Sequence, residues 1–577
     1  MYEQAMSKIP LLISRSKIST EGHKTGEWRF VTPSFKEKTA PCRATCPVGE
    51  DIPRIGMIAS RGLIKEAWET IMAENPFPCV CGHVCFHPCE TACNRAFLDE
   101  SVAVHHLERM IGEAGISEGF SASVLKTPSN GKRVAVVGSG PSGLSAAYFL
   151  SMLGFSCDLF ESKDQPGGIL RWGIPAYRLP EWVLQNEILR VEHMGVRIHC
   201  NTRITPERIG EIMDNYSALF MGYGHGRSVT MGIPGEEMAA DGLDFLLEIR
   251  RGNLPAMDGI AAVIGGGNAA IDVSRSLIRL GAKPLIIYRR SLADMPAFSK
   301  EVNAALDEGV QIMETAVPVR IEEEDGNLML RLQKMRAIGK DPEGRSRVVP
   351  DDSAPINLCV QHVFTAIGAQ SDGILNPKEE GNDRAIPLSH SMFTLSKIPV
   401  IYGGDLTNAK RSVSDAIASG KQAAMAIDTY FHHGFDAIRE RLNVSRVGDR
   451  DPLSMAIYLE TDRASRSPKV ISYSDINTDY FSNTPRHIPQ TIPMLRGELS
   501  FMVKEPVFSL KEGVGEASRC FHCGICNDCD NCRIFCPDIS VSCVENGRRI
   551  NLDYCKGCGI CVAECPSGVM ELEEEQP

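Results

Sequence analysis

The sequence predicts a multidomain α/β fold, with a helical domain at the N-terminus, two nested Rossmann-like domains and a small cysteine-rich domain at the C-terminus. Three observations support this prediction. The 577 residues are enough for three or four domains. Two strand–glycine loop–helix units recur along the middle of the chain, where strands and amphipathic helices alternate. Cysteines gather near the two ends, in the segments 42–93 and 520–565.

Composition narrows the class of protein. The 43% hydrophobic and 23% charged residues are typical of a globular protein, and the net charge of −12 argues against a nucleic-acid binder. We find neither a secretory signal nor a run approaching the ~20 apolar residues of a membrane span. We therefore expect a cytoplasmic protein. In that reducing compartment, clustered cysteines indicate metal or redox chemistry more often than disulfides.

The first 128 residues carry the N-terminal cysteines and are expected to be mostly helical. The stretch "GMIASRGLIKEAWETIMAENP" predicts one helix that stops at Pro76. Thiolates at the gaps seen between Cys42 and Cys93 can converge on one iron–sulfur cluster. A zinc site is the alternative, because zinc also binds four thiolates.

The first glycine loop follows the strand "RVAVV" and precedes a helix. In its G-x-G-x-x-G pattern, the first glycine makes the turn, the second admits a pyrophosphate and the third packs helix on strand. The anion would lie at the helix N-terminus. Glu161 ends the next strand and can accept hydrogen bonds from a ribose. The other predicted site residues are Gly138, Gly140, Pro141, Ser142 and Gly143.

A second loop of the G-x-G-x-x-A type follows the strand "IAAVI". At the position of the ribose-binding carboxylate the chain has Tyr288, followed by Arg289 and Arg290. A missing carboxylate and an available guanidinium favour the 2′-phosphate of NADP(H), without excluding NAD(H). The alternative is that both arginines are solvated surface charges. The loop residues of this predicted site are Gly265, Gly267, Asn268 and Ala270.

Two nested nucleotide folds suggest FAD together with a nicotinamide. Here the chain resembles the glutamate synthase small-subunit family, which includes the N-terminal half of dihydropyrimidine dehydrogenase. The resemblance covers roughly residues 25–430, through "GSGPSGLSAAYFL", "QPGGILRWGIPAYRLP", "YRRSLADMPA", "TAIG" and "GGDLTNAKRSVSDAIASGKQAA". The sequence "MGYG" after "ALF" departs from the family's Ala-Thr-Gly. No C-x-x-C pair lies in this region, so we do not expect a disulfide reductase.

The resemblance also implies roles for individual residues. Gly168 and Arg171 would line the FAD site with Glu161. Asp405, preceded by Gly404, would hold the ribityl chain, and the segment after it would bring a helix N-terminus toward the flavin ring. Because hydride transfer between two bound rings requires orientation, no catalytic acid or base is expected.

For the N-terminal cysteines, the resemblance implies one [4Fe–4S] cluster. Its carried-over ligands are Cys46, Cys85, Cys89 and Cys93. Family members often have a second cluster that uses two further cysteines upstream of Cys42, and these are absent here. Cys42 or Cys81 could replace one of the four or remain a thiol, and the role of Cys79 stays open.

The C-terminal segment contains two C-x2-C-x2-C-x3-C-P runs, the pattern of a bacterial 2[4Fe–4S] ferredoxin. In such domains the fourth cysteine of each run binds the other cluster. One predicted ligand set is therefore Cys526, Cys529, Cys532 and Cys565, and the other is Cys555, Cys558, Cys561 and Cys536. Cys520, Cys523 and Cys543 are left over. They are either packed thiols or, for the first two, replacements for the missing upstream pair in an additional cluster.

These assignments define six predicted segments. They are a helical [4Fe–4S] domain (1–128), an FAD-binding domain in two parts (129–255 and 362–435), an inserted NAD(P)H-binding domain (256–361), a linker or wrapping segment (436–512) and a 2[4Fe–4S] ferredoxin domain (513–577).

The predicted function is that of an NAD(P)H:acceptor oxidoreductase with FAD and three [4Fe–4S] clusters. It would pass single electrons to a partner oxidoreductase subunit or a soluble ferredoxin, in either direction, within a hetero-oligomeric complex. Two alternatives remain at this point: an electron-bifurcating flavoprotein subunit, and a non-catalytic electron-transfer or assembly subunit. The intact glycine loops, with Glu161 and Asp405, argue against the second.

Overall fold

The chain folds into two compact units in a computed structural model that describes residues 24–120, 127–342, 344–371, 384–408, 410–461, 466–489, 500–501, 506–544 and 547–575. The large unit contains the described residues of Pro41–Ser465 and Thr484–Cys520. The small unit contains those of Met1–Ala40, Arg466–Asn483 and Phe521–Pro577. Within these described ranges, no helix combines the length and apolarity that a membrane span requires.

The N-terminal part of the large unit is helical, as predicted. The single helix expected from Gly56 to Pro76 is wrong, because the chain forms two helices that are separated at Gly62. That glycine has φ +76°, a left-handed conformation that glycine adopts at little cost. Trp68 is fully buried in the core of this part. The helices are Pro41–Thr45, Ile52–Ser60, Ile64–Met72, Pro78–Val84, Pro88–Thr91 and Val104–Ser117, with a 3-10 turn at Asn94–Phe97.

The first Rossmann-like domain has a seven-stranded sheet whose last five strands, in the order given next, are parallel to one another. In sheet order the strands are Arg384–Pro387, Ser391–Leu395, Pro399–Gly403, Ala218–Met221, Arg133–Val137, Ser156–Phe160 and Arg197–His199. The first two strands of this order are antiparallel to their neighbours. Its helices are Pro141–Met152, Ile169–Trp172, Glu181–His193, Pro206–Asn215 and Val413–His433.

The second Rossmann-like domain is inserted into the first, which confirms the predicted nesting. Its residues lie between Ala218–Met221 and Pro399–Gly403, two strands that pair side by side in the first sheet. The inserted parallel sheet has the strand order Gln311–Met313, Lys283–Ile287, Ile260–Ile264, His362–Thr365 and Ala240–Asp241, with helices Gly242–Arg250, Asn268–Leu280 and Ser299–Glu308. An antiparallel sheet of Ala316–Glu324, Asn327–Lys340, Ser346–Pro350 and Ile356–Val360 accompanies it. The short strands Arg227–Ser228 and Ala369–Gln370 also pair.

The predicted wrapping segment 436–512 contains the short helices Ile438–Val444 and Met455–Tyr458 and the start of Leu510–Ala517. Residues 462–465, 490–499 and 502–505 of this segment lie outside the described residues, as do residues 1–23 and 121–126 of the predicted N-terminal domain.

The small unit contains two antiparallel strand pairs and two short helices. Val31–Phe35 pairs with Met570–Glu574, and Val541–Val544 pairs with Gly547–Ile550. The helices are Asn531–Ile534 and Ile560–Ala563, and 3-10 turns lie at Gly26–Trp28, Tyr473–Asp475 and Thr478–Tyr480. The observed division differs from the predicted segment 513–577. Residues up to Cys520 belong to the large unit, whereas 24–40 and 466–483 join the small one. The strands Val31–Phe35 and Met570–Glu574 come from opposite ends of the sequence, so no local pattern predicts that they pair.

Candidate functional site

The first glycine loop connects the strand Arg133–Val137 to the helix Pro141–Met152, as predicted. Gly138 has φ +97°, and a Cβ there would come within 2.6 Å of the carbonyl oxygen of Gly222. Gly143 packs so closely that a Cβ would collide with the carbonyl of Gly138. Gly140 differs from both, because a Cβ added to it would meet no atom within 4 Å. The loop is therefore tight at its first and third glycines and open at the second.

Glu161 directly follows the strand Ser156–Phe160 and is only 6% exposed. Its carboxylate accepts hydrogen bonds from the backbone N–H of Ser139 at 3.1 Å and of Lys163 at 2.8 Å. The Ser139 hydroxyl donates to the same carboxylate. These bonds hold Glu161 beside the glycine loop, where the ribose of a dinucleotide is predicted to bind.

The loop that contains Gly168 folds onto the first glycine loop. A Cβ on Gly168 would lie 2.7 Å from the Cα of Gly140. Arg171 is 2% exposed and donates to Gln165 at 2.8 Å and Gln185 at 3.0 Å, as well as to Glu181. These hydrogen bonds hold Arg171 against its own loop and the following helix. A contact between Arg171 and FAD remains a prediction.

The segment from Gly404 lies beside the same loop. The Gly404 N–H donates to the Ser419 hydroxyl at 2.8 Å, and the Ser142 hydroxyl would be 2.6 Å from a Cβ on Gly404. Burial raises the pKa of Asp405, an effect that the nearby charges of His225 and Arg411 oppose. The helix Val413–His433 begins shortly afterwards, and the Ser412 hydroxyl accepts its Asp415 N–H at 3.1 Å.

Two buried polar atoms in this region have no hydrogen-bond partner among the described residues: Oδ1 of Asn408 and Nδ1 of His225. Buried polar atoms are normally paired, so both are available to a bound polar group. Together with the open Gly140 and the carboxylates of Glu161 and Asp405, they form a polar site suited to a flavin dinucleotide. The residues present therefore fit FAD.

The second glycine loop has the same arrangement between the strand Ile260–Ile264 and the helix Asn268–Leu280. A Cβ on Gly265 would collide with the carbonyl of Ala366, whereas one on Gly267 would meet no atom within 4 Å. Ala270 is fully buried, in the place of the third glycine. The Asn268 side chain accepts the Phe298 N–H at 3.0 Å and so fixes a neighbouring loop. The second loop therefore also fits a dinucleotide.

The two arginines predicted to bind the 2′-phosphate differ in their exposure and in their contacts. The Arg290 guanidinium donates to the carbonyl of Ser346 at 2.7 Å and lies 3.5 Å from Asp341. Arg289 is exposed. Tyr288 is buried, and its hydroxyl donates to the carbonyl of Asp294 at 2.9 Å. Arg289 is thus the better placed of the two to reach a bound 2′-phosphate, while Arg290 holds the protein's own strands together.

A buried ion pair between the two Rossmann-like domains was missed by sequence reasoning. Nη1 of Arg178 lies 2.9 and 2.7 Å from the two carboxylate oxygens of Asp272. Nε of Arg178 is also 3.3 Å from Glu301. Burial raises the pKa of Asp272 to about 6, against the opposing charge of Arg178. Arg178 belongs to the quoted motif "QPGGILRWGIPAYRLP" and Asp272 to the helix after the second glycine loop, but nothing in their spacing indicates that they pair.

The pKa shifts of the N-terminal cysteines indicate which of these thiols lie near one another. Cys89 has Cys46 and Cys85 among the neighbouring groups that raise its pKa, after burial itself. Cys42 is a further neighbouring group that raises the pKa of Cys89. For Cys93, the principal charged neighbours are Glu90 and Arg519, and no cysteine is among the principal groups that shift its pKa. The structure therefore groups Cys46, Cys85 and Cys89 and leaves the place of Cys93 in this set a prediction.

The remaining N-terminal cysteines are buried. Cys81 lies beside Cys85, and the carboxyl group of Glu108 raises the pKa of both thiols further. Burial is the main reason that the pKa of Cys85 reaches about 12. A buried thiol of this kind becomes a thiolate only beside a positive partner such as a metal ion. The Cys79 thiol lies within 4.8 Å of ligand atoms of His83 and Glu113, in a group separate from the predicted set.

Two cavities of the small unit are each lined by four cysteines. One includes Cys536, Cys555, Cys558 and Cys561 in its lining. The other includes Cys526, Cys529, Cys532 and Cys565. Each cavity thus combines three cysteines of one run with the last cysteine of the other, which is the arrangement that cross-ligation requires. Both four-thiol sets fit a [4Fe–4S] cluster. The exposed Cys543 donates instead to Asp530 at 3.3 Å.

Comparison with known proteins agrees with this geometry. The family described as pyridine nucleotide-disulphide oxidoreductase matches residues 132–423. The chain belongs to this family. Residues 35–120 match the family described as dihydropyrimidine dehydrogenase domain II, 4Fe-4S cluster, and residues 548–571 match a 4Fe-4S binding domain. This member of the oxidoreductase family is therefore an FAD-dependent NAD(P)H oxidoreductase that carries iron–sulfur domains at both ends.

Relatives of this oxidoreductase confirm the resemblance seen in the sequence. The chain is 31% identical to the NADP(+)-dependent formate dehydrogenase subunit beta of Moorella thermoacetica, over 84% of this chain and 70% of that protein. It is 32% identical to the NAD-dependent dihydropyrimidine dehydrogenase subunit PreT of Salmonella typhimurium (68% and 91%). It is 30% identical to the glutamate synthase [NADPH] small chain of Escherichia coli (67% and 87%). Two further relatives are longer proteins, and the region that matches this chain covers only 53% and 48% of their lengths.

Proposed function

We propose that this oxidoreductase is an electron-input subunit, which takes hydride from NAD(P)H and delivers single electrons to a partner protein. The observation that carries the proposal is the combination in one chain of two open glycine loops and two four-cysteine cavities. When bound, FAD accepts a two-electron hydride and can release the electrons one at a time, and [4Fe–4S] clusters carry single electrons.

The protein's own residues orient the reaction. The glycine loops bind the two pyrophosphates at helix N-termini, and Glu161 holds the ribose of FAD. The Arg178–Asp272 pair fixes the inserted domain on the FAD-binding domain, which sets the relative position of the two bound rings. Because a displacement of about 1 Å can slow such a reaction substantially, this buried pair is a positioning element.

NADP(H) is the proposed nicotinamide cofactor. Arg289 is exposed next to the second glycine loop, and no carboxylate stands at the ribose-binding position, where Tyr288 is found. A guanidinium is well suited to a phosphate monoester, which it can bind through two parallel hydrogen bonds.

The electron acceptor is proposed to be a partner oxidoreductase subunit or a soluble ferredoxin, in a hetero-oligomeric complex. Relatives of this chain are named as subunits, which supports a complex, and one of them is a formate dehydrogenase subunit. The same chain could work in reverse and reduce NAD(P)+, because cofactor-to-cofactor electron transfer has no direction of its own.

An anaerobic titration tests this function. The purified, iron-replete protein is titrated with NADPH and, separately, with NADH, while flavin absorbance and cluster electron paramagnetic resonance (EPR) spectra are recorded. We expect stoichiometric flavin bleaching, with NADPH effective at the lower concentration, followed by signals of reduced clusters. A protein that holds no flavin, or whose flavin neither nucleotide bleaches, would be a non-catalytic subunit, and the proposal would fail.

A further inference from the structure

The helices Pro78–Val84 and Val104–Ser117 of the N-terminal domain are in close backbone contact. A Cβ added to Gly82 would lie 2.5 Å from backbone atoms of the facing helix, and a Cβ added to Gly112 would lie 2.7 Å from the backbone of Cys79. Only glycine permits so close an approach at these two positions. The contact therefore brings side chains that flank it on the two helices within reach of one another.

Three side chains of the types that bind metal ions meet at this contact. Cys79 and His83 are four positions apart on one helix, which places them on the same face, and Glu113 belongs to the other helix. The sulfur of Cys79, a ring nitrogen of His83 and a carboxylate oxygen of Glu113 all lie within 4.8 Å of one another. Cys79 is fully buried, and the side chains of His83 and Glu113 are 3% and 22% exposed.

The imidazole of His83 presents an unused nitrogen to this group. Its Nδ1 lies 3.1 Å from the carbonyl oxygen of Arg178, and because a carbonyl only accepts, Nδ1 carries the proton. Burial is the main reason that the pKa of His83 is lowered, which favours the neutral ring with a lone pair at Nε2. Nε2 is buried, lies 3.4 Å from Oε1 of Glu113 and has no hydrogen-bond partner among the described residues. Two acceptor atoms at this distance repel each other unless a cation binds both.

Each of the three groups is also held in place by a neighbour. The Glu187 carboxylate accepts the backbone N–H of Cys79 at 2.8 Å, and Nε of Arg109 donates to Oε1 of Glu113 at 2.8 Å. The carbonyl that accepts from Nδ1 fixes the imidazole in the same way. Metal ligands in proteins are characteristically oriented by such outer hydrogen bonds, which also fix the tautomer of a histidine ligand.

We propose that Cys79, His83 and Glu113 bind a zinc ion that joins the helices Pro78–Val84 and Val104–Ser117. Zinc takes thiolate, imidazole and carboxylate ligands, whereas magnesium and calcium require oxygen ligands. On binding, the Cys79 thiol releases its proton. One thiolate and one carboxylate then balance the two charges of Zn²⁺, which a buried site requires. A water molecule or the second carboxylate oxygen of Glu113 would complete the tetrahedron.

The role of this ion is structural, so it goes beyond the proposed electron transfer. Zinc has no redox chemistry of its own and does not carry electrons. The helix Pro78–Val84 contains Cys81 and is followed directly by Cys85, and its His83 bonds to the backbone of Arg178. The zinc ion would therefore fix the helix that lies between the predicted cluster ligands and the residue of the buried interdomain pair.

Metal analysis of the full-length holoprotein, produced with both zinc and iron supplied and freed of loosely bound metal on a chelating resin, tests the proposal. We expect about one zinc per chain in the wild type. The Cys79→Ala and His83→Gln variants should lose this zinc and keep the iron content of the wild type. The Cys359→Ala variant is the control and should keep its zinc, because Cys359 is exposed and isolated in the sequence. A wild type that holds iron but no zinc overturns the proposal, and so do variants that retain the zinc.

X-ray absorption at the zinc edge identifies the ligands in the wild type itself, so this measurement does not depend on a folded variant. We expect one sulfur at about 2.3 Å, with the remaining ligands nitrogen or oxygen at about 2.0–2.2 Å. Four sulfur ligands would show that zinc has entered a cluster site, and ligands without any sulfur would show that it is bound elsewhere. Either result contradicts the proposal. Unchanged FAD content confirms that a variant is folded.

Discussion

Arg178 and Asp272 join the FAD-binding domain to the inserted domain through a buried ion pair in which one nitrogen lies 2.9 and 2.7 Å from the two carboxylate oxygens. Asp272 stands in the helix that follows the second glycine loop, so the pair ties the element proposed to bind the nicotinamide cofactor to the first Rossmann-like domain. A buried pair of this kind contributes more to the relative position of the domains than to their net stability.

The Arg178→Met substitution should destabilise the protein, and more so at high pH. Removing one partner of a buried pair costs about 3–5 kcal/mol, because the other charge is left uncompensated. The pKa of Asp272 is already raised to about 6 in the folded state, so its protonation favours folding at low pH and this contribution is lost as the pH rises through 6. Without Arg178 the pKa should rise further. We expect the decrease in melting temperature relative to wild type to be larger at pH 8 than at pH 5.5.

The matched control is the Arg178→Met/Asp272→Asn double variant, which has no charge to leave unpaired. It should recover most of the melting temperature at pH 8. An equal loss at both pH values, or no recovery in the double variant, would show that packing and not the Asp272 charge is responsible.

The Arg289→Ala substitution should weaken NADPH and leave NADH almost unchanged. A charge-assisted hydrogen bond to phosphate contributes about 1.5–3 kcal/mol, so the KM for NADPH should increase about tenfold or more. Arg290→Ala should affect both nucleotides alike, because Arg290 bonds to Ser346 and Asp341 of the protein itself. Steady-state reduction of an artificial acceptor measures both constants, with the exposed Arg331→Ala as control. Equal effects of Arg289→Ala on the two nucleotides would contradict the phosphate assignment.

Features set by local spacing were predictable from the sequence. The two glycine loops and the two cysteine runs of the small unit are each recognised from residues a few positions apart. The break at Gly62 was not predicted, because the apolar periodicity continues through "SRGLIKEAW" and hides one left-handed residue.

Features that join distant parts of the chain could not be predicted. The contact between Arg95 and Arg519 connects positions 424 residues apart, and Val31–Phe35 pairs with the last described strand. Long-range contacts of this kind have no period or motif. For the same reason the sequence placed Cys520 in the predicted ferredoxin domain (513–577), whereas in the structure it belongs to the large unit.

The middle glycines of the two loops offer a matched pair of substitutions. Gly140 has φ −68° and Gly267 has φ −89°, both acceptable for alanine, and an added Cβ would meet no atom within 4 Å at either position. Each substitution should therefore preserve the fold and obstruct the approach of a pyrophosphate. We expect Gly140→Ala to bind FAD at least about tenfold more weakly and Gly267→Ala to raise the KM for NADPH by a similar factor. FAD content and steady-state kinetics measure the two effects.

Each of these two variants is the control for the other. Gly267→Ala should retain the FAD of the wild type, and Gly140→Ala reconstituted with excess FAD should keep its KM for NADPH. An alanine at position 140 that leaves FAD binding intact would place the flavin pyrophosphate elsewhere.

The ferredoxin-like cavities predict an exchange of ligands that single substitutions can reveal. Cys565 lines the cavity of Cys526, Cys529 and Cys532, although in sequence it belongs to the run that starts at Cys555. A Cys565→Ser variant should therefore lose the same EPR component as Cys529→Ser and keep the one that Cys558→Ser removes. Cys536→Ser should show the reverse, because Cys536 lines the other cavity. Exposed Cys543→Ser should lose neither component. If Cys565→Ser and Cys558→Ser removed the same component, each run would bind its own cluster and the cross-ligation assignment would be wrong.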